Sequence, residues 1–190
     1  DRSVSRGLGD VYKRQVFNGE HTMLPLMLSM YEISSAEDAE NYVLLLEDAP
    51  RYIGQIEQFE REKAAKGLFM TENALNKVLE SCIKFAETGN NCFLIGFFED
   101  EMASAEFEIS EQQKTALLER SRNSIINELL PAYRSLANTL EQLRPQCGSF
   151  AGACMRGVDA KDYYAAAIKS NAACNAEYSS CLLYTSDAAD

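Results

Sequence analysis

Side chains able to do chemistry are few and scattered along this chain. His21 is its single histidine, and no second ligand stands at helical spacing from it. A zinc site needs three or four converging protein ligands, so His21 reads as a structural or surface residue. No Ser or Cys is paired with a local general base, which leaves covalent catalysis without a candidate nucleophile. Glu99, Asp100 and Glu101 are adjacent acids that could attract a cation. Successive positions on a helix point in diverging directions, however, so they read as a solvated face. Gly148, Gly152 and Gly157 fit neither phosphate-loop spacing and mark a loop instead. Tyr163 and Tyr164 follow that loop and the sequence Val158-Asp159-Ala160-Lys161-Asp162. A phenol at such a loop–helix junction can face a cleft and donate a hydrogen bond to a bound substrate, the alternative being a packing ring with a satisfied hydroxyl. The assignment is therefore no catalytic residue, no metal ligand, and Tyr163 with Tyr164 as the candidate substrate-binding pair.

The ends of the chain carry a different kind of information. Asp10-Val11-Tyr12-Lys13-Arg14-Gln15 can be encoded as GAT GTG TAT AAG AGA CAG. The opposite strand, shifted by one base, reads TGT CTC TTA TAC ACA TC, which encodes Cys181-Leu182-Leu183-Tyr184-Thr185 and the start of Ser186. This duplex resembles the transposon end used in sequencing-library preparation, and Ser5 to Gly9 and Asp187 to Asp190 fit translated flanking adapters. Residues 1–15 and 181–190 are accordingly expected to be adapter-derived scars. Residues 16–180 are expected to be an internal helical fragment of a larger domain.

The scars hold 4 of the 18 basic and 4 of the 29 acidic residues, so the remainder has 14 against 25 and keeps the net charge of −11. Affinity for nucleic acid comes from clustered Lys and Arg that release counterions, and no such cluster is present. No segment approaches the roughly 20 apolar residues of a membrane-spanning helix. Met23 to Tyr31 is the most apolar run, but it is short, contains Pro25, and reads as a buried segment. With Cys181 set aside, Cys82, Cys92, Cys147, Cys154 and Cys174 form neither a paired disulfide framework nor a CxxC ribbon. Cys82 stands among apolar residues at helical spacing and reads as a small hydrophobe. Pairing among the last three would require export, so the redox compartment stays open.

Positioning any of these groups falls to helices. Ser34 and Glu37 have capping-box spacing, and Ala39, Tyr42, Val43 and Leu46 then recur on one helical face. That helix is expected to end near Ala49, because the residue before Pro50 is biased away from helical dihedrals. Pro50 would open a second helix presenting Tyr52, Ile56, Phe59 and Ala64, with Gly67 as its stop. Thr71 caps a third, with Leu75, Val78, Leu79, Cys82, Phe85 and Ala86 inward and Gly89 at its end. Cys92 to Phe98 has strand-like composition but no partner strand, and reads as a buried helical segment. A long helix starts after Ser110, whose spacing to Gln113 again suits a capping box. It carries Ala116, Leu117, Ser121, Ile125 and Leu129, and Pro131 is expected to kink or break it ahead of Tyr133, Leu136, Leu140 and Leu143. A last helix is expected around Ala160 to Ser170. The fold class is thus all-α, an antiparallel helical array.

A family resemblance runs through the same residues. Leu24-Pro25-Leu26, Tyr31-Glu32, Glu37-Asp38-Ala39-Glu40-Asn41-Tyr42, Leu44-Leu45-Leu46, Phe59-Glu60 and Lys66-Gly67-Leu68-Phe69-Met70 come first. Pro131-Ala132-Tyr133, Leu136, Leu140 and Tyr163-Tyr164 come after them, in order. Together they resemble the large bacterial family called domain of unknown function 885. The resemblance implies a mainly helical protein much longer than this chain and similar to helical zinc peptidases of the gluzincin kind. The family's metal motif, a His-Glu pair followed shortly by Gly-His on one helix, lies downstream of the matched stretch, and nothing in Val16 to Ser180 corresponds to it. Ala160-Lys161-Asp162 also stands where the family usually has Gly-Lys before the tyrosines. The resemblance therefore implies a non-catalytic helical portion that walls the substrate cleft of a zinc-dependent peptidase. The resemblance implies no cofactor in the fragment itself and zinc in the full-length parent. The partners implied are the remainder of the parent chain and a peptide substrate. The alternative is a helical binding protein or lipoprotein scaffold without hydrolytic activity, cytoplasmic or exported.

Overall fold

A computed structural model describes residues 19–149 together with Asp162 and Ala166. Both adapter-like ends, Tyr163 and Tyr164 fall outside the described residues. Residues 19–149 form helices α1 (Glu20–Leu28), α2 (Ala36–Ala65), α3 (Glu72–Ala86), α4 (Phe93–Ala103), α5 (Glu111–Ser124) and α6 (Leu130–Gln142). A π-helical turn, Ile125–Leu129, joins α5 to α6, and short 3-10 turns occupy Gly89–Asn91 and Arg144–Gln146. The fold class is all-α, as the periodicity requires. Among the described residues, extended pairing is confined to one bridge between Thr71 and Gly148.

The helix starts are set by their caps. Ser110 accepts from the Gln113 N–H, and the Gln113 side chain accepts from the Ser110 N–H, the reciprocal box expected at the start of α5. Thr71 accepts from the Ala74 N–H at the start of α3. At the start of α2 the expected box sits one residue later than Ser34 and Glu37. Extended Ser35 accepts from the Asp38 N–H, while the Asp38 carboxylate accepts from the Ser34 N–H and from both serine hydroxyls. Glu37 is displaced because only the third helical residue can fold back over the cap. At the far end of α2, Gly67 takes φ +68°. The Gly67 N–H donates to the Ala64 carbonyl and the Leu68 N–H to that of Lys63, the paired bonds of a Schellman stop.

Pro50 does not divide α2, contrary to expectation. The helix runs for 30 residues straight through it. Proline in a helix interior costs roughly 3 kcal/mol, here by removing the donor to the Leu46 carbonyl. Against that, Ala39, Tyr42, Val43, Leu46, Ala49, Ile53 and Ala64 form one buried stripe that spans the proline. Burying a residue the size of Ile53 contributes roughly 1.5–3 kcal/mol by itself, and a helix ended at Ala49 would turn the lower half of the stripe away from the core. The stripe also rotates the expected face: Ile53 replaces Tyr52 as the core residue, and Phe59 is exposed.

Pro131 likewise bends the hydrogen-bond pattern rather than ending the helix. Its ring would meet the carbonyl of Asn127, four residues back. The chain widens there into the π-turn, in which the Leu130 N–H reaches the Ile125 carbonyl. Ile125, Leu129, Leu130, Tyr133, Leu136 and Leu140 consequently stay in the core on both sides of the proline.

Polar contacts fix the helix directions. Arg144 meets Glu72 and Asn76 while Arg134 meets Glu87, so α3 runs antiparallel to α6. Arg120 bridges Glu40 and Glu47, and Thr139 joins Arg61 and Glu57, so α2 runs parallel to α5 and α6. Between them lies a core of Phe69, Leu75, Leu94, Phe98, Met102 and the stripes already named. The apolar run Cys92 to Phe98 supplies part of it as α4, with Leu94, Ile95 and Phe98 inward. Met23 to Tyr31 departs from its reading as a buried segment: α1 buries His21, Pro25 and Leu28 but exposes Leu26 and Met27, and Met30 in the turn that follows is exposed as well.

Two substitutions probe these helix boundaries. Pro50→Ala should raise stability by roughly 1 kcal/mol, since it restores a helix donor without altering the buried stripe. Ser110→Ala should cost roughly 1 kcal/mol by opening the capping box. Chemical denaturation measures both, and a loss of stability in Pro50→Ala would contradict a continuous α2.

Candidate functional site

Two tyrosine hydroxyls from other helices meet the first turn of α1. Pro25 carries no N–H, so the helix cannot satisfy the carbonyl of His21 four residues earlier. The Tyr133 hydroxyl, reaching across from α6, donates to that carbonyl at 2.8 Å in a fully buried position. From α2, the Tyr52 hydroxyl donates to the adjoining Glu20 carboxylate at 2.6 Å. Gly19, the N-cap of α1, offers no side-chain cap. Two tyrosines from two other helices therefore hold consecutive residues of α1. The Tyr133 ring also packs on Phe85, with centroids 4.5 Å apart.

Chemically this cluster is quiet. Burial pushes the Tyr133 phenol well above its usual ionisation range, and burial alone pushes the Cys82 thiol up to about 12. The thiolate and the phenolate are the more nucleophilic forms, and burial disfavours both. Burial lowers His21 to about 4 and keeps it neutral. Tyr42 stacks on Phe98 at 5.0 Å and contacts Tyr31 and Phe97. Its hydroxyl is buried without a hydrogen-bond partner, and desolvation, with a smaller effect of Cys92, raises its ionisation. Cys82, Cys92 and Cys147 are free thiols, the first two buried.

The acidic run diverges as its spacing implies. Glu99 pairs with Arg122 at 2.7 Å, whereas Glu101 joins Ile33, Ser34, Ser104, Ala105, Glu106 and Phe107 around an open pocket of about 350 Å³. No group of three or more His, Cys, Asp and Glu side chains among the described residues is placed to hold a metal ion. A zinc ion does not fit the donors present there: His21 is buried and has no such set around it. Tyr163 and Tyr164, the candidate substrate-binding pair, lie outside the described residues, as do Cys154 and Cys174. Periodicity places Tyr52 and Tyr133 in apolar stripes and misses their hydroxyl roles. The signal available is Pro25, which announces an orphaned carbonyl without saying which residue answers it.

Removing one hydroxyl at a time gives opposite expectations. Tyr133→Phe should destabilise by roughly 1–2 kcal/mol, because it leaves the His21 carbonyl buried and unpaired. Tyr42→Phe should be neutral or stabilising by up to about 1 kcal/mol, since only an unpartnered hydroxyl is lost. Equal losses in the two variants would refute the distinction. For pH, His21 has a folded value near 4 against an ordinary value of 6.5. The unfolded chain then binds more protons between those values, so this contribution is complete above 6.5 and is lost as pH falls toward 4. The loss is on the order of 3 kcal/mol, and His21→Leu should flatten the stability profile between pH 6.5 and 4 in denaturation series.

Comparison with other proteins gives this scaffold a lineage. The profile of a family described as bacterial protein of unknown function (DUF885) matches residues 3–179. No curated protein matches the chain. A similar solved structure is a Colwellia psychrerythraea protein described as a "putative lipoprotein", with a TM-score of 0.76 and 19% identity. The similarity covers 86% of this chain and 28% of that one, so the chain spans less than a third of its structural neighbour. At that identity the likeness establishes the fold, while the profile covers most of the sequence: the chain belongs to the bacterial DUF885 family.

Proposed function

We propose that this chain is a non-catalytic helical wall of the substrate cleft in a zinc-dependent peptidase, with the metal ligands supplied by sequence outside Val16 to Ser180. The observation that carries the reading is the ordered resemblance from Leu24-Pro25-Leu26 to Tyr163-Tyr164, which links the chain to helical zinc peptidases of the gluzincin kind. Rigid attachment of α1 through Tyr52 and Tyr133 suits a wall that must hold its shape while another segment does the chemistry. In this reading Tyr163 and Tyr164 contribute a phenol to the cleft, donating to the peptide substrate or to the oxyanion as charge develops. A second reading, a helical binding protein or lipoprotein scaffold without hydrolysis, is favoured by the description of the structural neighbour. Fold alone does not choose between them. The adapter origin of residues 1–15 and 181–190 also stands as a proposal, supported by the complementarity of their coding strands.

The parent gene supplies the first test, since the peptidase reading requires the His-Glu and Gly-His motif downstream. In the full-length parent, Tyr163→Phe or Tyr164→Phe should lower kcat/KM by roughly 10- to 1000-fold if that phenol meets the developing oxyanion. Full activity in both variants would leave the pair as packing residues. A parent that lacks the motif and shows no chelator-sensitive hydrolysis of small peptides would instead favour the scaffold reading.

A further inference from the structure

One face of α1 faces solvent although its chemistry suits an interior. Residues 21–31 contain no Asp, Glu, Lys or Arg in a chain whose net charge is −11. On the inner side His21, Pro25 and Leu28 are buried. On the outer side half-buried Met23 shares one helical face with Leu26 and Met27, which are 48% and 66% exposed, and Met30 in the turn directly after the helix is 71% exposed. Helices apolar on all sides belong in the interior of a larger assembly. Single exposed apolar side chains are ordinary on a protein surface, whereas several gathered on a helix face and its adjoining turn mark a contact surface.

We propose that the stripe Met23, Leu26, Met27 and Met30 is the docking surface for the remainder of the parent chain; this rests on the functional reading above, in which the chain is a portion of a longer protein. Two observations favour that occupant. The solved neighbour of the same fold is matched over only 28% of its length, so the greater part of its chain lies outside this helical array. The stripe is also presented on a helix already pinned by Tyr52 and Tyr133, so docking need not order that helix's backbone and the entropic cost falls on the side chains alone. Unbranched methionines adapt their shape to an irregular partner surface. The acidic character of the chain disfavours an anionic lipid surface as the alternative.

Methionine oxidation reads the stripe directly. Dilute hydrogen peroxide, followed by peptide mass spectrometry, is applied to the 190-residue chain and to the full-length parent, each with and without chelator. Met70 and Met102, at 2% and 0% exposure, serve as buried references in both. Met27 and Met30 should oxidise readily in the chain and at least ~10-fold more slowly in the parent, independently of protein concentration. Equal rates in the two proteins overturn the proposal, as does a parent gene with no further coding sequence. Protection of the isolated chain that grows with concentration assigns the face to a second copy, and protection appearing only with anionic phospholipid vesicles assigns it to lipid. Either result also overturns the proposal. Failure of the peptidase reading alone, a parent without chelator-sensitive hydrolysis, leaves the methionine protection intact.

Discussion

A proline without a donor and a tyrosine with one set the position of the N-terminal helix. Pro25 leaves the His21 carbonyl unsatisfied inside a buried turn, a situation that costs about as much as a lost hydrogen bond. The Tyr133 hydroxyl, from a helix 112 residues later in sequence, answers it at 2.8 Å. The pairing works only if α6 lies against the first turn of α1, and that in turn needs the π-turn that carries α6 past Pro131 without breaking the buried stripe. Tyr52 adds a second tether through Glu20, so α1 is held from two sides.

Three prolines lie within the α-helices, and each is accommodated differently. At Pro25 a side chain from another helix replaces the missing donor. At Pro50 no register change occurs, because the apolar face of α2 continues through it and Asp48 and Arg51 pair across it at 2.6 Å. At Pro131 the backbone itself changes, spreading one turn to the π pattern so that the ring clears the preceding carbonyl. The common cause is burial on both sides of the proline. Where apolar residues on either side face the same core, the packing of two or three large side chains outweighs one lost backbone bond.

The same burial accounts for the chemical silence of the described residues. Two phenols, one thiol and the single imidazole are each shifted toward their neutral forms by desolvation. For the phenols and the thiol the neutral form is the less nucleophilic one, and these enclosed groups serve to hold helices together. The chain belongs to the DUF885 family, and its helical array is shared with part of a longer solved protein.

Much of the fold was written in local patterns. The Ser110 and Gln113 box, the Thr71 cap, the Gly67 stop and the inward faces of α3 and α6 all depend on residues within one or two turns of each other, and such interactions are legible without a tertiary structure. The all-α class comes from the same periodicity. Tertiary structure alone decided what the prolines do, since a proline's local cost is fixed while the burial that offsets it comes from distant helices. It also decided which face of α2 is the core, because Tyr52 and Ile53 are both apolar neighbours and only the placement of α5 and α6 chooses Ile53. The hydroxyl roles of Tyr52 and Tyr133 belong to the same class: a carbonyl orphaned at His21 is visible in the sequence, but its donor is 112 residues away, and only folding brings them together.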